Sequence, residues 1–439
     1  MSKRWKKALK IIGIILVFIV IAFIALVIFV ATRPKGPTFN DSELAYKLPD
    51  VPDSENGYVM LLNAAGMLGP STESDTSFFK DIYPIIENNK KLRNLSDSDI
   101  RRFEAKYGKR LKEFDKSTSF KVFFSINYTY DGKRKPDKFI NMVGAHNLAY
   151  LEAAFAWHDF RNGNINEGME RLDNLLRLGQ LLQNSYGTIL AFILGANIQS
   201  IALNEINELL KQNLIPEDQL PRLAKMIRKN NRVTQGIKRT CSGEYFEMKE
   251  RYEMWRTETG FFEKYLYREE KLKHLFDFYT TYSRWAGQPY SRIPDKKLTF
   301  KPTILEMILS FLSGEPVSEL IYEYSTDFHF NLYDKVPLME TKSNETELRI
   351  ALLMYQARNG RHPKTLNALV PEYIPAIPRD PFDGKPLRYN SKKKIIYSVG
   401  FNLKDDGGAA NKNVFMRDRR NSNNKKDLVL HVMKSSNRL

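Results

Sequence analysis

The longest uninterrupted apolar run lies near the start of the chain. From Ile11 to Ala31 every residue is apolar or glycine. About 20 residues in a helix, rising ~1.5 Å each, cross the ~30 Å hydrocarbon core of a bilayer, so this run predicts a transmembrane helix. A cleaved signal peptide is the alternative. Its apolar region is usually about 7 to 15 residues and ends in a small-x-small site, which Phe29, Val30 and Ala31 match poorly.

The charges beside this run predict its orientation. The charged residues before it are all basic: Lys3, Arg4, Lys6, Lys7 and Lys10. The residues after it mix both signs. Because cytoplasmic flanks are enriched in Lys and Arg, we expect the amino terminus in the cytoplasm, a single pass through the cytoplasmic (inner) membrane, and the bulk of the chain on the extracytoplasmic, periplasmic side.

The middle of the chain has the spacing of amphipathic helices. Apolar residues recur three and four apart in segments that we expect to be three consecutive helices: Leu148 to His158, Met169 to Leu182, and about Thr188 to Leu210. Asn162-Gly163 separates the first two. Short turns between such helices predict antiparallel neighbours and hence an all-α bundle. A short solenoid is the alternative, which the lack of a strict repeat disfavours.

The stretch Ile189 to Ala196 raises the question of a second membrane crossing. Asn197, Gln199 and Ser200 interrupt it well before the ~18 apolar residues that a span needs. We therefore expect a buried core helix.

Two other segments of the middle region could carry chemistry. Carboxylates recur every three residues at Glu244, Glu247, Glu250 and Glu253, but they drift ~60° per step around a helix and alternate with basic residues, which indicates a solvated, ion-paired face rather than a metal or acid/base site. Residues 261–290 are rich in aromatic residues. These could stack sugars or bases, although such residues more often pack helices together.

Composition narrows the function. The formal net charge is +17, which can indicate nucleic-acid binding, but an extracytoplasmic domain seldom meets nucleic acid, so we expect none as a partner. A single cysteine, Cys241, excludes a disulfide framework and a cysteine-based zinc site within the chain. The six histidines are scattered, and no nucleophile elbow or phosphate-binding loop is present. An enzymatic function is left open, with a non-catalytic one favoured.

The carboxy-terminal hundred residues change from a helical pattern to a helix followed by short strands. Asn344 and Glu347 have capping-box spacing, which predicts a helix start, and Asn359-Gly360 predicts its end. A turn at Asp380 to Gly384 precedes two predicted strands, Lys385 to Tyr389 and Lys394 to Ser398. Earlier in the chain, Phe120 to Tyr130 with the turn Asp131-Gly132 predicts a strand or hairpin.

In this order the carboxy-terminal motifs resemble the globular domain of the major pseudopilin of type II secretion systems. The matching segments are Leu352 to Tyr355, Asn359 to Pro363, Leu366 to Leu369, Asp380 to Tyr389, Tyr397 to Gly400 and Asp405 to Gly408. The match covers about Asn344 to Gly408, with Asp427 to Leu430 added. The helical middle resembles uncharacterised envelope proteins of bacteria that carry the same module. The resemblance implies a small α/β module with an antiparallel sheet that works by assembly rather than turnover.

The chain departs from that family at its membrane helix. Pseudopilins carry a cleavable Gly before Phe-Thr-Leu-Ile-Glu, and neither Gly13 nor its neighbours give that motif. Prepilin processing of this helix, and assembly into a pseudopilus through it, are therefore not expected.

Pseudopilins of this family bind calcium in the loop after Tyr-Ser-x-Gly, and the resemblance carries that role onto Asp405, Asp406 and, after an insertion, Asp427. Calcium takes about six to eight oxygen ligands, so backbone carbonyls of residues 400–408 would have to contribute. Basic residues in the insertion oppose a cation: Lys412, Arg417, Arg419, Arg420, Lys425 and Lys426. The alternative is a Gly-rich turn whose aspartates accept hydrogen bonds from local amides.

The sequence thus predicts a mainly α protein in four parts: a basic stub and transmembrane anchor at 1–33, a linker at 34–55, a helical extracytoplasmic domain at 56–340 and a pseudopilin-like module at 341–439. We expect a non-catalytic, single-pass bacterial envelope protein that contacts membrane lipid through its anchor and an envelope protein partner, in an assembly related to type II secretion. The alternative is an extracytoplasmic enzyme or ligand-binding protein that uses a cleft in the helical domain, lined by the aromatic residues of 261–290 and a nearby His274 or Glu.

Overall fold

A computed structural model gives the structure of the chain. It describes residues 3–32, 39–44, 51–66, 73–124, 140–185, 187, 189–231, 233–258, 269–293, 318–409 and 427–432. The predicted linker at 34–55 lies partly, and the predicted hairpin at 120–132 mostly, outside the described residues. Of that hairpin region, Val122 forms an isolated parallel bridge with Asn56.

The described part of the chain is mainly helical, as the sequence predicts. The helices are α1 Lys3–Thr32, α2 Gly57–Ala65, α3 Glu73–Ile86, α4 Asn89–Leu92, α5 Asp97–Ser117, α6 Met142–Arg161, α7 Ile165–Gln183, α8 Ile189–Lys211, α9 Leu220–Lys229, α10 Val233–Glu258, α11 Glu269–Trp285 and α12 Ser318–Asn359. The strands are β1 Arg388–Asn390, β2 Ile395–Ser398 and β3 Leu428–His431.

The chain divides into two compact units. The first unit comprises Met1–Ala45, Tyr245–Tyr279 and Leu298–Thr326, and the second comprises Tyr46–Glu244, Thr280–Lys297 and Asp327–Leu439. The predicted domain boundaries stay predictions, although α12 runs without interruption through residue 341, where we expected the carboxy-terminal module to begin.

The centre of the second unit is built from α6, α7 and α8, the three helices that the periodicity predicts. The turn between α6 and α7 contains Gly163 in the left-handed region, at φ 78°. Helices α7 and α8 cross at two glycines: a Cβ on Gly179 would lie 2.7 Å from the carbonyl oxygen of Gly195, and one on Gly195 would lie 2.5 Å from that of Gly179. Only glycine permits this backbone approach.

Helix α5 begins with a capping box. The Ser96 side chain accepts a hydrogen bond from the Asp99 backbone N–H, and the Asp99 carboxylate accepts one from the Ser96 N–H. Its polar side also holds α3, because Asp81 accepts hydrogen bonds from Lys106 Nζ at 2.6 Å and from the Tyr107 hydroxyl at 2.7 Å.

Helix α8 is the one helix in the described residues that is long and apolar enough to cross a membrane by length and composition. However, 72% of its most apolar window is buried inside the protein, which is typical of a core helix. The described apolar stretch of α1, Leu9–Ala25, is shorter.

The prediction of a solvated face for the carboxylates of α10 is wrong for two of them. Glu244 and Glu247 were expected on a solvated face, and both are buried. Glu244 Oε1 accepts a hydrogen bond at 2.6 Å from the backbone N–H of Ile189, the first residue of α8. A helix start has unsatisfied N–H groups, and this buried carboxylate satisfies one of them. The side chains of Glu250 and Glu253 lie outside the described residues.

The aromatic segment packs in the interior where it is described. Residues 261–268 lie outside the described part, but most aromatic side chains that follow are buried: Phe276, Phe278, Tyr279, Tyr282 and Tyr290. They therefore contribute to the core, and His274 on α11 is exposed.

The predicted helix start at Asn344 is wrong. Helix α12 begins at Ser318 and continues through Pro337 to Asn359. The Asn344 side chain makes tertiary contacts instead of capping a helix: its Oδ1 accepts from Asn231 Nδ2 at 3.0 Å, and its Nδ2 donates to the Arg379 carbonyl at 3.2 Å. The predicted end of the helix is confirmed, with Gly360 at φ 68° directly after it.

The small antiparallel sheet is also confirmed. Strand β2 lies between β1 and β3, with Tyr389 opposite Ile396 and Ile396 opposite Leu430. Every residue of β2 is buried. Ile396 packs in a common core with Leu348, Leu352, Leu366 and Leu369, so α12 and the sheet enclose one apolar layer.

Candidate functional site

The turn after α12 is organised by one buried carboxylate, that of Asp380. Its Oδ1 accepts hydrogen bonds from the Phe382 N–H at 2.9 Å and the Ser398 hydroxyl at 2.8 Å. Its Oδ2 accepts from the Val399 N–H at 3.0 Å and from Arg388 Nη1 at 2.6 Å. Asp380 therefore joins the turn to β1 and to the end of β2, which explains why this motif contains an aspartate.

Arg388 extends this network towards the loop that follows β2. Its Nη2 contacts Asp383 Oδ2, and its Nε lies 3.6 Å from Asp405 Oδ2. Burial alone would raise the pKa of Asp383, but hydrogen bonds from Arg388 and from the Lys385 backbone N–H lower it below its ordinary value. The guanidinium thus links the turn to the first predicted metal ligand.

All three predicted metal ligands lie in this loop or accept hydrogen bonds from it. Asp427 is fully buried, and its two oxygens accept hydrogen bonds from the Asp406 N–H at 3.2 Å and the Gly408 N–H at 2.7 Å. Asp405 Oδ1 accepts from the Gly407 N–H at 3.0 Å, and Asp406 Oδ2 accepts from Asn402 Nδ2 at 2.8 Å. Asp427, just before β3, therefore fixes a loop more than 15 residues earlier in the chain.

The same contacts determine how a cation could bind. In the described part of the chain, no three His, Cys, Asp or Glu side chains form a group that could hold a metal ion. Burial raises the pKa of Asp427, while the Gly408 and Asp406 N–H groups act in the opposite direction. Calcium would have to replace those N–H donors. Binding by Asp405, Asp406 and Asp427 stays a prediction, and the basic insertion lies outside the described residues.

A cavity of about 680 Å³ lies in the second unit, between the start of α10, the turn at residues 287–289, α12 and the turn at residues 378–384. Its polar lining residues are Asn231, Thr234, Gln235, Lys238, Gln288, Glu340, Asn344, Arg379 and Asp380. Volumes of about 300 to 1,000 Å³ are typical of small-molecule sites.

Glu340 is the unusual residue of this cavity. Its Oε1 accepts a hydrogen bond from the Thr234 hydroxyl at 3.2 Å. Burial raises the pKa of Glu340, and the Thr234 hydrogen bond only partly opposes that rise. A carboxylate removed from water favours either a cationic partner or a proton.

A second ionisable group of α12, the half-buried Lys342, lies two residues from both Glu340 and Asn344 along the helix. Its Nζ donates to the Ser200 hydroxyl at 2.8 Å and to the Ser200 carbonyl at 3.1 Å, and burial lowers its pKa to about 8. A lysine of lowered pKa beside a serine hydroxyl is an arrangement in which the lysine can act as the base of a serine nucleophile. Ser200 lies inside α8, however, where helical hydrogen bonds occupy the backbone N–H groups that would stabilise an oxyanion. The contact between Lys342 and Ser200 joins α12 to α8.

Sequence reasoning missed Glu340 and Lys342. Each is a charged residue of a helix whose partner, Thr234 or Ser200, lies more than 100 residues away in the chain. The only available signal was a charged residue among apolar residues of one helix, and many solvent-facing positions share that pattern.

Comparisons with known proteins add no assignment: no protein-family model, no curated protein and no solved structure matches this chain.

Proposed function

We propose that this protein is a single-pass, membrane-anchored, non-catalytic protein of a bacterial envelope. Helix α1 crosses the cytoplasmic membrane with its amino terminus in the cytoplasm, and the remainder of the chain lies on the periplasmic side. The pseudopilin-like carboxy-terminal module binds an envelope protein in an assembly related to type II secretion.

One observation supports the proposal that α1 is a membrane anchor. Apolar side chains are exposed all around α1, from Ile11 at 51% and Phe18 at 68% to Ile24 at 50%. A helix that is apolar on every side needs an apolar environment on every side, and the apolar run of the sequence from Ile11 to Ala31 is long enough for a bilayer to provide it. The basic residues of its first turns favour the cytoplasmic side.

The interaction role of the module is supported by its construction. The Asp380 network ties the turn at residues 380–384 to the three-stranded sheet, and the turn between β1 and β2, which carries Lys392 and Lys393, is exposed. Rigid elements present binding surfaces more accurately than mobile ones do.

A photo-crosslinking amino acid at Lys392 tests the interaction, with Lys225 on α9 as the matched exposed position outside the module. In living cells we expect position 392 to crosslink to a specific envelope protein, and position 225 to give no such product. Absence of a specific product from position 392 would contradict the interaction function.

A ligand-binding function is the second candidate, and the cavity around Glu340 is the observation that favours it. The sequence predicts the cleft of such a protein at the aromatic residues of 261–290 and His274. The described aromatic residues of that segment are mostly buried in the core, so the cavity offers a different location.

A further inference from the structure

The cavity in the second unit combines a half-buried acid, Glu340, with cations on other walls. Within the part of the chain that the structure describes, Glu340 forms no ion pair with a lysine, arginine or histidine; Thr234 is its hydrogen-bond partner. Since protein interiors rarely leave a carboxylate without a cation, an open cavity beside such a group is a place where a ligand can supply one.

Two cationic side chains line the same cavity. Lys238 lies four residues after Thr234 on α10, so its Cβ is about 5 to 6 Å from that of Thr234, on the same face of the helix. Arg379 lies in the opposing turn and donates from Nη1 to the Gly384 carbonyl at 2.8 Å. Arginine has further N–H donors and suits carboxylates.

The remaining polar lining is made of amides that donate and accept hydrogen bonds: Asn231, Gln235, Gln288 and Asn344. Glu340 would repel a dianion, and Lys238 and Arg379 would repel a polyamine. A molecule with one charge of each sign satisfies both walls.

We propose that this cavity binds a small zwitterion, an amino acid or a short peptide, whose ammonium group pairs with Glu340 and whose carboxylate meets Lys238 and Arg379. The proposal rests on the ligand-binding candidate above and needs no membrane anchor, although one wall of the cavity, the turn at residues 378–384, belongs to the carboxy-terminal module.

Binding at this site is linked to a proton. Burial raises the pKa of Glu340 above its ordinary value. An ammonium group favours the ionised carboxylate and lowers that pKa again, so binding releases protons at any pH at which the free protein holds Glu340 protonated. A ligand that merely accepted a hydrogen bond from the neutral acid would release none.

Isothermal titration calorimetry on the full-length chain in detergent tests the proposal. The probes are the common amino acids and the dipeptide Ala-Ala, with N-acetyl-Ala-Ala lacking the ammonium, Ala-Ala amide lacking the carboxylate, and putrescine carrying two ammonium groups. We expect at least one free amino acid or Ala-Ala to bind, with an apparent enthalpy that changes between buffers of different ionisation enthalpy as protons are released. Each blocked form should bind roughly 10-fold to 100-fold more weakly.

Substitutions locate the site. Glu340→Gln keeps the shape and should weaken binding roughly 10-fold or more and abolish proton release. Lys238→Gln should weaken the binding of Ala-Ala but not the binding of Ala-Ala amide, which has no carboxylate. The matched controls, Glu217→Gln and Lys225→Gln, change exposed residues outside the cavity and should leave binding unaltered.

Because Glu340→Gln removes a half-buried carboxylate that has no ion-pair partner among the described residues, its melting temperature should equal or exceed that of the unsubstituted chain, which separates lost binding from lost folding. The proposal is overturned if no amino acid and no Ala-Ala binds the unsubstituted chain, if putrescine binds as tightly as the best zwitterion, or if Glu340→Gln binds equally well.

Discussion

Replacing Asp380 by asparagine should loosen the carboxy-terminal module more than any other change of one atom in its polar network. The carboxylate accepts two hydrogen bonds at each oxygen. Asparagine has the same shape but only one oxygen. If its amide nitrogen takes the place of Oδ2, it faces two donors, Arg388 and the Val399 N–H. If it takes the place of Oδ1, the Ser398 hydroxyl can turn to accept, and only the Phe382 N–H loses its acceptor.

The second orientation of the asparagine amide is therefore the less destabilising one, and it determines the expected loss of stability. A buried N–H left without an acceptor costs about 1 to 3 kcal/mol, and replacing the charged acceptor of Arg388 by a neutral one removes part of a bond worth about 1.5 to 3 kcal/mol. The sum is roughly 3 kcal/mol of local stability.

Hydrogen exchange followed by mass spectrometry on the full-length chain measures this directly. In peptides covering Phe382 and Val399, Asp380→Asn should accelerate exchange roughly 100-fold. The matched control is Asp383→Asn, which also changes a partner of Arg388 but leaves every acceptor of the Asp380 carboxylate in place, so exchange in these peptides should accelerate by about 10-fold or less. Equal acceleration by both substitutions would refute the reasoning.

Three further predictions follow from buried contacts. Burial holds the pKa of Lys342 at about 8 instead of 10.5, so between these pH values the unfolded chain binds more protons than the folded one. The free energy of unfolding should therefore rise with pH across that window by up to about 3 kcal/mol. Urea denaturation measures this rise, and Lys342→Met should flatten it. Gly195→Ala should destabilise the protein by about 3 kcal/mol or more in the same assay, because the new Cβ meets the Gly179 carbonyl. Gly108→Ala has open space around its Cβ and should stabilise the protein by up to about 1 kcal/mol. Equal effects of the two substitutions would contradict the close crossing of α7 and α8. Calcium binding, as the resemblance implies, should raise the melting temperature of the full-length chain and lose that effect in Asp427→Asn, and an unchanged melting temperature of the unsubstituted chain would contradict it.

The elements that the sequence predicts well are those whose signal is local. Helices α6 and α7 are predicted by apolar spacing and by Asn162-Gly163, because a helix of this kind buries one continuous stripe. Strands β1 and β2 follow from short apolar segments bounded by turn residues. The close approach of α7 and α8 at Gly179 and Gly195 could not be predicted, since it depends on which faces meet.

The errors come from residues whose partners are distant in the chain. Asn344 has the spacing of a capping box, but the preceding residues remain helical and its amide is used by Asn231 and Arg379. Glu244 has the surroundings of an exposed acid, but it contacts the start of α8, 55 residues away. For the same reason the candidate ligand site at Glu340 emerges only from tertiary structure.

Protease treatment of intact spheroplasts tests the membrane-anchored account most directly, using the full-length chain with one epitope at each end. The account predicts that added protease removes the carboxy-terminal epitope while a short fragment with the amino-terminal epitope stays in the membrane. If the carboxy-terminal epitope survives until the spheroplasts are lysed, or if the intact chain fractionates with the cytosol, the central claim is wrong.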